Sequence, residues 1–390
     1  MARPLSVVVA PDSFKGSLGA PEAAVAIAAG IIRGAPGATA ILRPMADGGE
    51  GTLDAVLRAS GSAASRGEIE VEGAGGAPIH AGYGVVDRDG TRTAILECAQ
   101  VVAITDTAGM AVPVTSRTTS GLGLQLRALL DLGVRRFMVG LGGSSTNDGG
   151  AGLLVALGLR LLDADGRDVE PTPDGLARLA RADGSALDAR LAACEITIMS
   201  DVDNPLAGER GATAIFGPQK GVEAGQVAAI DATLARYAAI VESARGRRAS
   251  ERPGAGAAGG LGHALMLAGG TMRSGAQVVA DLIGLDAALA GADWAITGEG
   301  RSDAQTLLSK GPCVVADRAR ARGVPVTLVS GAVDAASLAA LHERFDGGCF
   351  ALPAGPATLE ACVRDAAALL ADRAEAVARL YVAARRHSSG

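Results

Sequence analysis

Short apolar runs alternate along this chain with Ala-rich segments of helical length, the rhythm of an α/β protein. Residues 6–10 read as a buried strand, followed by a polar loop over 11–17 and a helix over 21–33. Pro21 suits the first turn of that helix and Gly34 its stop. Residues 39–43 begin a second unit of strand, Gly-rich loop and helix, the helix running over 52–58. The unit recurs at 135–158, with its strand at 137–141, and again at 294–297, 325–330 and 349–352, the last followed by a long helix to about residue 386. Six such units predict one doubly wound, largely parallel sheet.

Other segments have a different texture. Residues 67–99 predict antiparallel hairpins, with Asp89-Gly90 as a two-residue turn signal. Residues 160–290 mix loops, a strand at 195–199 and several helices. A second α/β domain with a mixed or antiparallel sheet is therefore expected, built from insertions that make the first discontinuous. The expected boundaries are 1–62, 118–160 and 290–390 for the doubly wound domain, and 63–117 and 161–289 for the second.

Composition narrows the partners. Aromatic residues make up only 2% of the 390, so the core must be built from Ala, Val, Leu and Ile, while 55 glycines cluster between apolar runs without a fixed period. A net charge of −6, with no basic tract, excludes nucleic acid as a partner. The apolar run at residues 5–10 is too short for a signal peptide, and no stretch approaches the length of a membrane span. Cys98, Cys194, Cys313, Cys349 and Cys362 are scattered singly, which predicts reduced, mostly buried thiols in a cytoplasmic protein. The four histidines do not cluster and have no zinc-ligand spacing.

Five polar, Gly-rich loops follow strands or open helices, where open α/β sheets bind ligands. Asp12-Ser13-Phe14-Lys15-Gly16-Ser17 places a carboxylate, two hydroxyls and a lysine where an anionic substrate or phosphate can sit; turn chemistry and helix capping by Asp12 or Ser17 account for one of them but not for Lys15. Asp47-Gly48-Gly49-Glu50-Gly51-Thr52 lets backbone approach a ligand closely and offers carboxylates for Mg²⁺ or a substrate proton. The loop from Gly140 to Gly150, containing Gly142, Gly143, Ser144, Ser145, Thr146 and Asn147, suits an anion cradle but matches neither the P-loop nor the dinucleotide fingerprint. Asp201 and Asp203 alternate in Asp-Val-Asp-Asn, so both can face one cation, and Lys220 follows in Phe216-Gly217-Pro218-Gln219-Lys220-Gly221. Glu299, Arg301 and Asp303 stand in Thr297-Gly298-Glu299-Gly300-Arg301-Ser302-Asp303, shortly before Lys310. The Gly-rich run at 254–262 reads as tight packing or a hinge.

These loops, with Ala46 to Thr52 and Gly256 to Gly262, resemble the bacterial type 1 glycerate kinase family from the first strand to about residue 320. The resemblance implies ATP-dependent phosphorylation of D-glycerate, usually at the 2-hydroxyl, with Mg²⁺. It also implies two α/β domains, one Rossmann-like, with the active site in the cleft between them. Ser200, Val112 and Ser309 depart from the family's usual cysteine, asparagine and glycine, and the stretch 118–125 lacks its usual acidic residue. These departures touch substrate preference more than kinase chemistry.

Phosphoryl transfer needs positioning and charge neutralisation above all. The expected roles are nucleotide phosphates on Gly142, Gly143, Ser144, Ser145, Thr146, Asn147 and Lys220; Mg²⁺ on Asp201 and Asp203, with Glu299 and Asp303 as second choices; and a base at Asp47 or Asp201. Lys15 and Arg301 are expected to bind the glycerate carboxylate or steady the transferred group, with Asp12, Ser13, Gly48 and Gly49 also at the substrate. ATP and glycerate are the expected partners, and a homodimer is allowed. A kinase of a related hydroxy-acid or sugar acid, and a non-catalytic nucleotide-binding regulator, remain as alternatives.

Overall fold

The computed structural model describes residues 3–88, 90–307 and 310–388. They form two compact units. The first comprises the chain up to Asp47, Asp54–Gly61 and the chain from Ala276 onward; the second comprises Gly48–Leu53 and Ser62–Gly275.

The first unit is built on a five-stranded, all-parallel sheet in the order Cys349–Ala351, Val326–Ser330, Trp294–Thr297, Ser6–Val9, Thr39–Leu42. Counted in chain order this is 2-1-3-4-5. Successive residues of a strand point to opposite faces, and both faces are covered. Val7, Val9, Trp294 and Ile296 pack with Ile27, Leu370 and Ala374, whereas Val8, Ala10, Ala295 and Leu328 pack with Val279, Val315 and Leu341. A strand buried on both sides has no solvent face, so its sequence is mostly apolar without strict alternation; the hydroxyl residues Thr297, Thr327 and Ser330 are buried. On the first face the helices Ala20–Gly34 and Ala366–Ser388 approach closely because Gly30 and Gly34 have no side chain. A Cβ on Gly34 would lie 2.8 Å from that of Ala378. Trp294 stacks on Tyr381 with ring centroids 4.5 Å apart and donates its indole N–H to Thr327 Oγ1 (3.0 Å).

The second unit holds a six-stranded mixed sheet in the order Thr271–Arg273, Glu195–Met199, Arg136–Gly140, Thr91–Glu97, Pro78–Arg88, Ala64–Glu72. The first four run parallel and the last two continue as antiparallel neighbours, so the expected hairpins are present. Asp89 of the turn signal lies outside the described residues.

The expected boundaries need correction. The strand Arg136–Gly140 pairs with Thr91–Glu97 and Glu195–Met199, which places 118–160 in the unit of the mixed sheet. Residues 276–289 instead join the first unit, where Ala276, Val279, Ile283 and Leu285 enter its core. A strand–loop–helix unit looks the same locally whichever sheet its strand joins. The pairing partners are chosen by contacts distant in sequence. Among the described residues no helix is long and apolar enough to cross a membrane. All five cysteines are free thiols; Cys98 and Cys313 are buried and the other three half-buried.

Candidate active site

In the 2-1-3-4-5 order the direction of winding reverses between Ser6–Val9 and Trp294–Thr297, the place where such sheets bind ligands. The loops after these two strands are knitted together there. Asp12 N–H donates to Gly298 O (2.8 Å) and Thr297 Oγ1 donates to Ala10 O (2.8 Å). Gly300 lies against the Phe14–Lys15 backbone, where a Cβ would stand 3.3 Å from Lys15 N. Asp12 accepts the Ser13 N–H at 2.6 Å through Oδ1, and its Oδ2 faces the start of the helix Gly311–Arg320.

Burial, followed by the charge of Asp47, pushes the Asp12 carboxyl up to about 7; Glu299 adds to the rise, while the Ser13 hydrogen bond and Lys15 oppose it. Glu299 is itself held above its ordinary value by burial, although its Oε1 accepts Thr306 Oγ1 (2.6 Å) and Ser302 Oγ (2.9 Å). Lys15 and Arg301 are exposed on these neighbouring loops. Arg301 pairs loosely with Asp303 (3.5 Å), whose other oxygen accepts Gln305 N–H (2.8 Å). Asp12, Lys15, Asp47, Glu299 and Arg301, expected from the sequence in three different roles, thus belong to one group in the first unit.

The second unit carries the loop from Gly140 to Gly150 at the C-terminal end of Arg136–Gly140. Its side chains turn inward. Ser144, Ser145, Thr146 and Asn147 are buried, and so is Lys220. Lys220 Nζ donates to Ser144 Oγ (2.9 Å) and Thr146 O (2.8 Å), and burial lowers its pKa to about 8. Ser145 Oγ donates to Val102 O (3.0 Å), and Asn147 Nδ2 donates to Thr213 Oγ1 (3.0 Å). The accessible part of the cradle is therefore backbone, at half-buried Gly142 and exposed Gly143, the latter with φ +74°. Gly142 also lies against Gly49, and its N–H donates to Gly48 O (3.3 Å), so these glycines serve chain-to-chain packing within this unit.

Two residues outside the expected set fix this loop. Asp148 is fully buried and accepts Thr119 N–H (2.8 Å), Thr119 Oγ1 (2.7 Å), Gly150 N–H (3.0 Å) and Gly152 N–H (3.1 Å). One carboxylate thus serves the starts of the helices Ser120–Asp131 and Ala151–Ala156. Arg117, also buried, donates through Nη1 to Ser145 O and Lys220 O, both at 2.9 Å. The Gly-rich run at 254–262 packs beneath, with Gly149 N–H donating to Gly259 O (2.9 Å). Asp148 was visible as an acidic residue closing a polar loop, whereas Arg117 has no local signature.

The two carboxylates of Asp-Val-Asp-Asn do different things. Asp201 accepts Gly275 N–H (3.1 Å), and Asp203 meets Arg210 at 3.2 Å on the surface. Among the described residues no three His, Cys, Asp or Glu side chains converge as a metal site.

The glycerate kinase family model matches residues 7–382. The chain belongs to the glycerate kinase family. It is 40% identical over 369 residues to the glycerate kinase of Bacillus subtilis (strain 168), covering 93% of this chain and 94% of that one. It is 36% identical over 368 residues to the glycerate 2-kinase of Escherichia coli (strain K12), with the same coverage of 93% and 94%. The crystal structure of a putative glycerate kinase 2 from Salmonella typhimurium LT2 superposes with a TM-score of 0.86 at 38% identity, covering 98% of this chain and 100% of that one. This family membership agrees with the expected pairing of a parallel and a mixed sheet.

Proposed function

We propose that this glycerate kinase family member transfers the γ-phosphoryl group of ATP to the 2-hydroxyl of D-glycerate. The observation that supports the chemistry is Asp12, a carboxylate at the switch point of the parallel sheet whose proton affinity is pushed up to about 7. Such a group accepts the proton of an attacking hydroxyl near neutral pH. The hydroxyl oxygen bonds to the γ-phosphorus, the bond to ADP breaks, and the proton passes to Asp12. In this assignment Asp12 takes the place of Asp47 and Asp201, the bases expected from the sequence. Asp47 acts through its charge, which raises the affinity of Asp12 for a proton.

Lys15 and Arg301, exposed on neighbouring loops, supply cations for the glycerate carboxylate. Gly142 and Gly143 offer backbone to the nucleotide phosphates, and Lys220 holds their loop from beneath instead of touching phosphate. Mg²⁺ is the ordinary companion of ATP, and it binds through one or two carboxylates together with phosphate oxygens. Asp203, Glu299 and Asp303 are engaged by protein donors and do not form a metal site of their own, so no step here runs through the ion. The free thiols agree with a cytoplasmic setting.

The deciding experiment combines purified protein with D-glycerate, ATP and Mg²⁺ and assigns the product by ³¹P and ¹³C NMR. 2-Phosphoglycerate is expected. 3-Phosphoglycerate would overturn the position of attack, and turnover only with another hydroxy-acid would overturn the substrate.

A further inference from the structure

A cavity of about 370 Å³ opens in the second unit at the N-terminal edge of the mixed sheet. It is lined by Arg92, Arg135, Arg136, Glu195, Gly90 and Gly133. These residues sit at or just before the starts of the parallel strands Thr91–Glu97, Arg136–Gly140 and Glu195–Met199. The Gly140–Gly150 loop begins at the other end of Arg136–Gly140, about 13 Å away at 3.3 Å per residue. A ligand in this cavity is therefore distinct from one held by that loop.

Three guanidiniums face one carboxylate, and that carboxylate is committed, with Glu195 Oε2 lying 2.9 Å from Arg136 Nε. Among the described residues neither Arg92 nor Arg135 has a carboxylate within ion-pair distance. Both are instead held by backbone. Arg92 Nη1 donates to Leu132 O (3.1 Å), and Arg135 Nη1 donates to Leu130 O (3.0 Å) and Val134 O (2.8 Å). These bonds cover carbonyls at the end of the helix Ser120–Asp131, which would otherwise repel an anion. They use one nitrogen of each guanidinium, which carries five N–H donors in all. They also restrain side chains whose freedom would otherwise be lost on binding. Gly90 and Gly133 have open space where a Cβ would stand, so backbone is exposed at the cavity wall.

We propose that this cavity binds a compact phosphate dianion, either inorganic phosphate or the phosphate group of a small metabolite. Charge, planar donors in fixed positions and a volume suited to a small ligand all point to that chemistry.

The test is calorimetric titration of the full chain with inorganic phosphate and separately with glycerol 3-phosphate, with a non-hydrolysable ATP analogue present throughout. The proteins compared are the natural protein, Arg92→Gln/Arg135→Gln, and Arg92→Gln alone. The single variant guards against a folding effect, because Arg92 is exposed and gives a single hydrogen bond, to Leu132 O just past the helix end. Binding of at least one probe is expected, weakened about tenfold or more in both variants, with kcat for glycerate within about twofold of the natural protein. Tighter binding of the ester would identify a metabolite, and equal binding would identify free phosphate. Affinities unchanged by the substitutions, or no binding of either probe up to about 1 mM, would overturn the proposal.

Discussion

Replacing Asp12 by asparagine should disable the enzyme and stabilise it at the same time. The substitution preserves shape and the acceptor offered to Ser13 N–H, but it removes a charge from beside Asp47 and Glu299. In the natural protein burial and these neighbours move the carboxyl from 3.8 to about 7. Between those values the folded chain keeps a proton that the unfolded chain releases. Stability therefore falls as pH rises through the window, and the full cost applies above 7. At 1.36 kcal/mol per pH unit the upper bound is about 4 kcal/mol. Asp12 keeps some contact with water and the repulsion is shared among three carboxylates, so we take about half, ~2 kcal/mol. At pH 8 Asp12→Asn should melt a few degrees above the natural protein. The gain should shrink as pH falls and vanish near pH 4. Meanwhile kcat should drop by about 10²–10⁴. Calorimetric melts at pH 8 and pH 4, with a coupled assay of ADP release, read both effects. A variant that is less stable at pH 8, or that turns over normally, would refute the assignment.

Other consequences are open to simple measurement. kcat/KM for glycerate should rise through a limb near pH 7 as Asp12 loses its proton, and a profile flat from pH 6 to 8 would contradict this. Lys220→Met leaves Ser144 Oγ and Thr146 O without their donor, which should cost about 2–5 kcal/mol in urea unfolding and raise the KM for ATP. Asp148→Ala removes four hydrogen bonds at two helix starts; a loss of about 3–5 kcal/mol and faster amide exchange at 119–123 and 150–153 should accompany it. Gly311→Ala should improve helix propensity by up to about 1 kcal/mol yet lower kcat, since its Cβ would stand 2.8 Å from Asp12 Oδ2.

The legible parts of this fold are those whose cause is local. The strands at Ser6–Val9, Trp294–Thr297 and Val326–Ser330 are mostly apolar, without a polar face in alternation, because both their faces are buried, and such runs stand out in any window. The five polar loops were likewise visible, and the switch-point loops contain the expected Asp12, Lys15, Glu299 and Arg301. The hidden parts depend on distant neighbours. Nothing near Arg136–Gly140 announces that its partners are Thr91–Glu97 and Glu195–Met199. The hydroxyls of Ser144, Ser145 and Thr146 look like ligands in a string of letters, and only tertiary burial turns them inward. Asp12 gains its proton affinity first from burial and then from Asp47 and Glu299, residues of two other loops. Asp203 reads only as a candidate metal ligand beside Asp201, and its surface pairing with Arg210 is set by a residue of a later turn.

The division of the first unit into distant segments has a consequence during synthesis. Ser6 N–H bonds to Asp293 Oδ2 across a gap of 287 residues, and Ser6–Val9 is the strand that Trp294–Thr297 must join. At about 5–20 residues per second a ribosome needs roughly 15–60 s to bridge that gap. For that interval Val7, Val8 and Val9 have Thr39–Leu42 as their sheet neighbour, and one whole edge of the pair lacks its strand. The second unit, whose chain is complete at Gly275, can close its own core while the first still waits. The nascent chain thus matures from the middle outward, and its earliest residues are the ones most in need of a chaperone.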